Sequence, residues 1–237
     1  KTGVMQLRAI EQRIGGRLGA YILDPATGRG FGWRETERFP HCSSFKLSLA
    51  AMMLAKGERG EIDLDEIVHW QPGDIVEHSP ITDGHGGAGL SIRTLAHGTL
   101  VTSDNTAANV PAQQDIRRRV VTSDNTAANV LLRRVGGPEE LTRFWRSLGD
   151  KVSRLDRYEP HLNLTPGGTE LDTTTPEAMA GTVARLLLDG PLSPQGRATL
   201  KSWMIETQTG LDRLRAGFPA GWIAGDKTGT GINAIRQ

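Results

Sequence analysis

Ser43-Ser44-Phe45-Lys46 sets a serine and a lysine three residues apart at the head of an apolar run, Leu47-Ser48-Leu49-Ala50-Ala51-Met52-Met53-Leu54-Ala55. The run is rich in helix formers, so the spacing predicts a helix with Lys46 beneath the Ser43 hydroxyl. A serine hydroxyl is a weak nucleophile until a base takes its proton, and a lysine buried in an apolar helix loses part of its basicity. The partial positive charge of a helix N-terminus favours an anion developing there. The same serine could simply cap the helix, and what comes later in the chain decides between the two readings.

Two further motifs follow in order. Ser123-Asp124-Asn125 lies after a helical segment, and Lys227-Thr228-Gly229 closes the run Trp222-Ile223-Ala224-Gly225-Asp226, which is expected to be a strand. Between them stands Arg157-Tyr158-Glu159-Pro160-His161-Leu162-Asn163, followed by Asp172. The trio S-x-x-K, S-D-N and K-T-G is the signature of class A β-lactamases and penicillin-binding proteins. The segment carrying Glu159 is similar to the omega loop of the class A enzymes. On these four motifs the chain resembles a class A serine β-lactamase.

The resemblance implies a role for each residue. Ser43 would attack the lactam carbonyl, with Lys46 sharing its proton. Ser123 would relay a proton to the leaving nitrogen, and Asn125 would hold the substrate's amide side chain. Glu159 and Asn163 would hold the water that releases the acylated serine. Lys227 would act in catalysis by tuning the Ser123 relay and would attract the substrate carboxylate. Thr228 and Thr230 would offer hydroxyls to that carboxylate, and the amides of Ser43 and Thr230 would form the oxyanion hole. A second carboxylate-binding arginine is usual in the family, and Arg213 and Arg236 both stand near plausible positions. His78 occupies the place of an aromatic gate, while Asp124, Arg157 and Asp172 are read as structural. No cofactor or metal is implied. The Cys42-Ser43-Ser44-Phe45-Lys46 segment and Thr230 are also similar to the carbapenem-hydrolysing branch, but Gly231 stands where its second cysteine would be. A penicillin-binding protein or DD-peptidase shares three of the motifs, and an acylation-only sensor or inactivated domain is a further alternative.

Helical spacing recurs at residues 5–14, 91–101, 126–135, 138–148, 176–188 and 194–205, and prolines at three of the starts suit first-turn positions. Residues 18–23 and 30–33 flank Asp24-Pro25-Ala26-Thr27-Gly28 and predict a hairpin. Strands bracketing a helical middle argue for an α/β (α+β) fold in one domain over residues 1–237. Its α/β lobe would be residues 1–40 and 190–237, with an antiparallel sheet flanked by helices; residues 41–189 would form the mainly helical lobe. The resemblance implies the same two lobes with the active site between them.

Two departures stand out. Residues 101–110 recur without change at 121–130, so the S-D-N motif is present twice. Pro111 would interrupt a helix after the first copy, whereas the second runs on as Thr-Ala-Ala-Asn-Val-Leu-Leu-Arg-Arg-Val. Ser123 and Asn125 are therefore expected in the cleft, Ser103 and Asn105 are the alternative, and residues 103–122 read as an inserted or duplicated segment that can bulge at little cost. The second departure is that the family continues past K-T-G with further sheet strands and a long helix, which would be supplied by a missing segment or another chain.

The 237 residues, 37% hydrophobic and 23% charged with net charge +1, suit a globular domain and give no sign of nucleic-acid or membrane-surface partners. Arg117-Arg118-Arg119 reads as a solvated face, and no apolar stretch approaches the ~20 residues of a membrane span. The single cysteine, Cys42, excludes an internal disulfide, and six scattered histidines show no metal-ligand spacing. The expected partner is a small β-lactam met by a monomer. The family implies a secreted or periplasmic location, although no signal-peptide pattern is present.

Overall fold

The computed structural model describes residues 2–101 and 124–231. It orders them as α1 (Thr2–Ile14), β1 (Ala20–Asp24), β2 (Arg29–Trp33), β3 (Phe39–Pro40), α2 (Lys46–Glu58), β4 (Ile67–Val68), β5 (Leu90–Ser91) and α3 (Ile92–Leu100). After residue 123 come α4 (Asn125–Val135), α5 (Pro138–Ser147), β6 (Thr173–Thr174), α6 (Pro176–Ala184) and α7 (Pro194–Glu206). The repeat's first copy, with Ser103 and Asn105, and also Ser123 and Arg236 lie outside the described residues.

The helix ends follow local chemistry. Ser91, Thr175 and Ser193 each accept a hydrogen bond from the backbone amide three residues on, satisfying donors that a helix start leaves open. Pro138, Pro176 and Pro194 sit in the first turns, where no amide hydrogen is required. Gly136 ends α4 with φ of 104°, a conformation that glycine adopts without strain.

α2 is the axis of the helical part. Every residue from Lys46 to Ala55 is buried, because α3, α4, α5 and α7 pack around it. Phe45, Leu49, Met52, Met53, Leu95, Leu131, Leu141, Trp145 and Leu200 fill the common core. No helix among the described residues is long and apolar enough to cross a membrane.

The strands make three two-stranded antiparallel ladders: β1 with β2, β3 with β6, and β4 with β5. In the hairpin Ala20 pairs with Trp33 and Asp24 with Arg29. α1 packs on β2 and α6 on β1. The short β3–β6 ladder, Pro40 opposite Thr173, matters most for the site. It carries the chain directly into the Ser43 turn and sets Asp172 beside it, with the His41 amide donating to the Asp172 carbonyl at 2.9 Å.

One expected element is corrected. Residues 222–230 form no ladder, and Trp222 and Ile223 are 67% and 77% exposed. A strand exists only against a partner, and among the described residues β1 and β2 pair with each other alone. The segment is held instead from the end of α7. The Asp226 amide donates to Met204 O at 3.1 Å, and Arg215 bridges Asp226 Oδ2 (3.1 Å) to the carbonyls of Thr207 (2.6 Å) and Ile205 (3.2 Å).

α1 buries none of its residues, and Met5 and Ile14 are exposed. It is tied down by polar contacts. Glu11 accepts from Leu18 N (3.0 Å), Trp33 Nε1 (2.9 Å) and Arg34 Nε (2.7 Å). These donors, Arg34 foremost, lower its carboxyl from 4.5 to about 2. The tie is therefore complete above pH 4.5 and is lost as pH falls towards 2. Glu11→Gln is expected to free the α1 amides to exchange at neutral pH while α2 stays protected; hydrogen exchange read by mass spectrometry checks this. The wild-type protein should show the same loss only on acidification.

Candidate active site

The Ser43 turn is built first. Cys42–Phe45 is a 3-10 turn that runs into α2, so Ser43 stands just before the helix rather than inside it. Ser44 is turned away, its Oγ donating to the His41 carbonyl at 2.7 Å and its amide to the same oxygen at 3.0 Å. Lys46, at the first position of α2, is fully buried.

Three segments converge on this turn. From the loop between α5 and β6 comes Glu159, itself buried, whose Oε1 lies 3.4 Å from Ser43 Oγ and 3.4 Å from Lys46 Nζ. Asn163 Nδ2 donates to its other oxygen at 2.5 Å. From the start of α4 comes Asn125, whose Oδ1 accepts from Lys46 Nζ while its Nδ2 donates to Glu77 O at 2.9 Å. The asparagine in contact with the lysine is thus that of the repeat's second copy. Burial pushes the Lys46 ammonium below its usual range, against the pull of Glu159 and Asp124.

The third segment holds Lys227, Thr228, Gly229 and Thr230. A Cβ added to Gly229 would lie 2.8 Å from His41 O, 3.2 Å from Cys42 Cβ and 3.2 Å from Ser43 N. Only a residue without a side chain lets this backbone lie so close to the Ser43 turn. Lys227 keeps some surface but is set deep among protein atoms, and desolvation together with the Lys46 charge pushes it down to about 7. Its Nζ donates to Thr228 O at 2.8 Å. Arg213 Nη2 donates to Thr230 Oγ1 at 3.3 Å, so of the two arginines considered it is the one found beside the motif, Arg236 being outside the described residues.

A sequence model of the β-lactamase family matches residues 7–235. β-Lactamase L2 of Stenotrophomonas maltophilia is 42% identical over 97% of this chain and 69% of its own length. An imipenem-hydrolysing β-lactamase of Enterobacter cloacae is 38% identical over 96% of this chain and 72% of its own length. The solved structure of a reconstructed class A β-lactamase, that of the last common ancestor of Gram-negative bacteria, superposes with a TM-score of 0.86 at 47% identity. That match covers 97% of this chain and 80% of the ancestral one. The chain belongs to the class A β-lactamase family.

In this class A β-lactamase chain the remaining motif residues act as anchors. Asp124 caps α4 through Ala127 N (2.7 Å) and accepts from Ile81 N and Thr82 N (both 2.8 Å), binding the loop that carries His78 to α4. His78 is exposed with φ of 62°, and its carbonyl accepts from Asn125 N at 2.9 Å. Arg157 Nε pairs with the buried Asp172 at 2.6 Å, and Asp172 also receives the amides of Asp156 (2.7 Å) and Arg157 (3.0 Å). The loop bearing Glu159 is thereby closed at its base. Thr228 Oγ1 donates to Thr209 Oγ1 at 2.7 Å. No group of three or more His, Cys, Asp or Glu among the described residues could hold a metal ion.

Sequence reasoning missed Asn129 and Thr209. Asn129, buried in α4, donates to the Glu159 carbonyl and accepts from the Glu159 amide, both at 2.9 Å. Its only signal was a polar residue inside an apolar helix. Asn129→Ala removes both bonds and strands two buried backbone groups, so a loss of about 2–3 kcal/mol is expected. Urea denaturation measures it, and an unchanged midpoint would contradict the clamp. Gly229→Ala should slow the turnover of a chromogenic cephalosporin, followed by absorbance, while leaving the urea midpoint close to wild type.

Proposed function

We propose that this chain hydrolyses the amide bond of β-lactams through an acyl-enzyme on Ser43, with Glu159 activating the water that releases it. Ser43 Oγ bonds to the lactam carbonyl carbon and yields its proton to the base formed by Lys46 and Glu159. The C–N bond then breaks, and the nitrogen takes a proton relayed by Ser123. Water next gives a proton to Glu159, its oxygen attacks the ester, and Ser43 recovers its proton as the acid leaves.

The observation that carries the reading is Glu159, because a carboxylate aimed at the nucleophile separates hydrolysis from mere acylation. Its Oε1 is 3.4 Å from the Ser43 hydroxyl, and Asn163 fixes the other oxygen. Asn163 Oδ1 is buried and has no protein partner among the described residues, so an acceptor for a water proton stands beside the carboxylate. The closeness of Gly229 to the Ser43 amide supports an oxyanion hole made of the Ser43 and Thr230 amides. The choice of Ser123 over Ser103 rests on its neighbours, since Asp124 caps α4 and Asn125 reaches Lys46.

Lys227 and Arg213 supply positive charge for the substrate carboxylate. The Thr230 hydroxyl, with a lone pair engaged by Arg213, keeps its proton to donate to the same group. Thr228 can lend its hydroxyl to the carboxylate only by turning it away from Thr209 Oγ1; Asn125 gives the amide contact to the substrate side chain, and His78 the rim of the cleft. The protein acts as a monomer on a small-molecule substrate in a secreted or periplasmic setting.

Incubation with a chromogenic cephalosporin, with intact mass taken alongside, tests the reading. Wild type should turn over steadily, and Ser43→Gly should not. Glu159→Ala should give a burst, a stable mass adduct and a kcat lower by about 10²–10⁴-fold. Full turnover by Glu159→Ala would contradict its role. A long-lived adduct on the wild-type protein would favour a penicillin-binding or sensor function instead. Because Lys227 titrates near 7 and binds substrate only when charged, kcat/KM should fall as pH rises through about 7, and Lys227→Arg should move that limb upward.

A further inference from the structure

His41 is fully buried immediately before the nucleophile turn, and neither ring nitrogen has a hydrogen-bond partner among the described residues. The neighbouring carboxylate, Asp150, is occupied by the amides of Val152 and Ser153 and the hydroxyls of Ser153 and Thr182. Burial drives the imidazole down to about 3, so the ring is neutral at working pH. A buried imidazole without polar partners is costly and invites a reason for its being there.

The ring lies flat on Trp145 of α5, centroids 4.7 Å apart and planes 6° from parallel. The backbone of His41 is where three parts of the site meet. Its amide donates to Asp172 O at the base of the Glu159 loop, its carbonyl receives both Ser44 bonds, and the same carbonyl bounds the space against Gly229. A stacked ring pair adds an orientation-dependent attraction beyond its buried area, which holds the ring against tilting, and a branched aliphatic side chain in the same volume lacks it.

We propose that the His41–Trp145 stack sets the spacing between the Ser43 turn and the Lys227-Thr228-Gly229 segment, making His41 a positioning residue for acylation. The inference rests on the proposed acyl-serine reaction, in which Ser43 N and Thr230 N must straddle one oxygen. It assigns no proton transfer to the imidazole. The stack fixes His41, His41 fixes the carbonyl on which the turn and Gly229 both rest, and the width of the oxyanion gap follows.

Two substitutions of similar volume separate stacking from filling: His41→Phe keeps a ring on Trp145, and His41→Leu keeps apolar bulk alone. At a temperature well below unfolding, His41→Phe should retain kcat within about twofold of wild type. His41→Leu should lose about tenfold or more in kcat with KM little changed, as small misplacements of reacting groups do. Amide hydrogen exchange, which needs no activity, should quicken in residues 42–45 and 227–230 of His41→Leu and not of His41→Phe. Trp145→Leu should reproduce the His41→Leu pattern from the other side of the stack. Equal kcat and equal exchange in the two His41 variants would overturn the proposal. A wild-type protein without turnover would sink the acyl-serine reading instead, and the exchange comparison would still decide whether the stack sets the spacing.

Discussion

The site depends on a cation and a carboxylate buried together at the foot of one serine. Lys46 and Glu159 expose none of their side chains and lie 3.4 Å apart. Neither charge is tolerable there alone, since removing one partner of such a pair costs about 3–5 kcal/mol. Together they hold a lysine whose proton is loosened by desolvation and a carboxylate that has not escaped to solvent. The Ser43 hydroxyl is offered to the same Glu159 oxygen that faces the lysine, which lies 3.4 Å from each.

Much of the surrounding structure serves to keep that pair in place. The lysine is fixed by α2, which is buried on every side and cannot shift without repacking four helices. The carboxylate is on a loop, so it is fixed by added bonds: Asn129 grips its backbone, Asn163 grips its side chain, and the Arg157–Asp172 pair closes the loop's base. The β3–β6 ladder then joins that base to the strand entering the Ser43 turn. Rigid helix on one side and a pinned loop on the other give a constellation held to a narrow geometry without a metal ligand set among the described residues.

The parts legible in the sequence were those written locally. Prolines marked the starts of α5, α6 and α7, the Asp24-to-Gly28 run marked the hairpin turn, and the apolar run after Lys46 marked the central helix. The ordered motifs pointed to the family, which the relatives then bore out. What escaped was non-local. Residues 222–230 have strand composition, yet a ladder needs a neighbour that no local pattern can reveal. Asn129 looked like a stray polar residue because its partner is thirty positions away. His41 and Trp145 are each unremarkable in sequence and meet only because α5 packs under the turn. The glycine of Lys227-Thr228-Gly229 was read as part of a motif, but its reason, contact of backbone on backbone, needed the fold.

The central claim is that Lys46 is a buried amine with loosened proton, held against the same Glu159 oxygen that meets the Ser43 hydroxyl. NMR titration of the Lys46 side-chain nitrogen, assigned by comparison with Lys46→Arg, tests it most directly. The account predicts a titration midpoint below the 10.5 of a solvated lysine. A Lys46 ammonium that stays protonated up to or beyond that value would contradict it, because a fully retained proton could not be shared with the nucleophile.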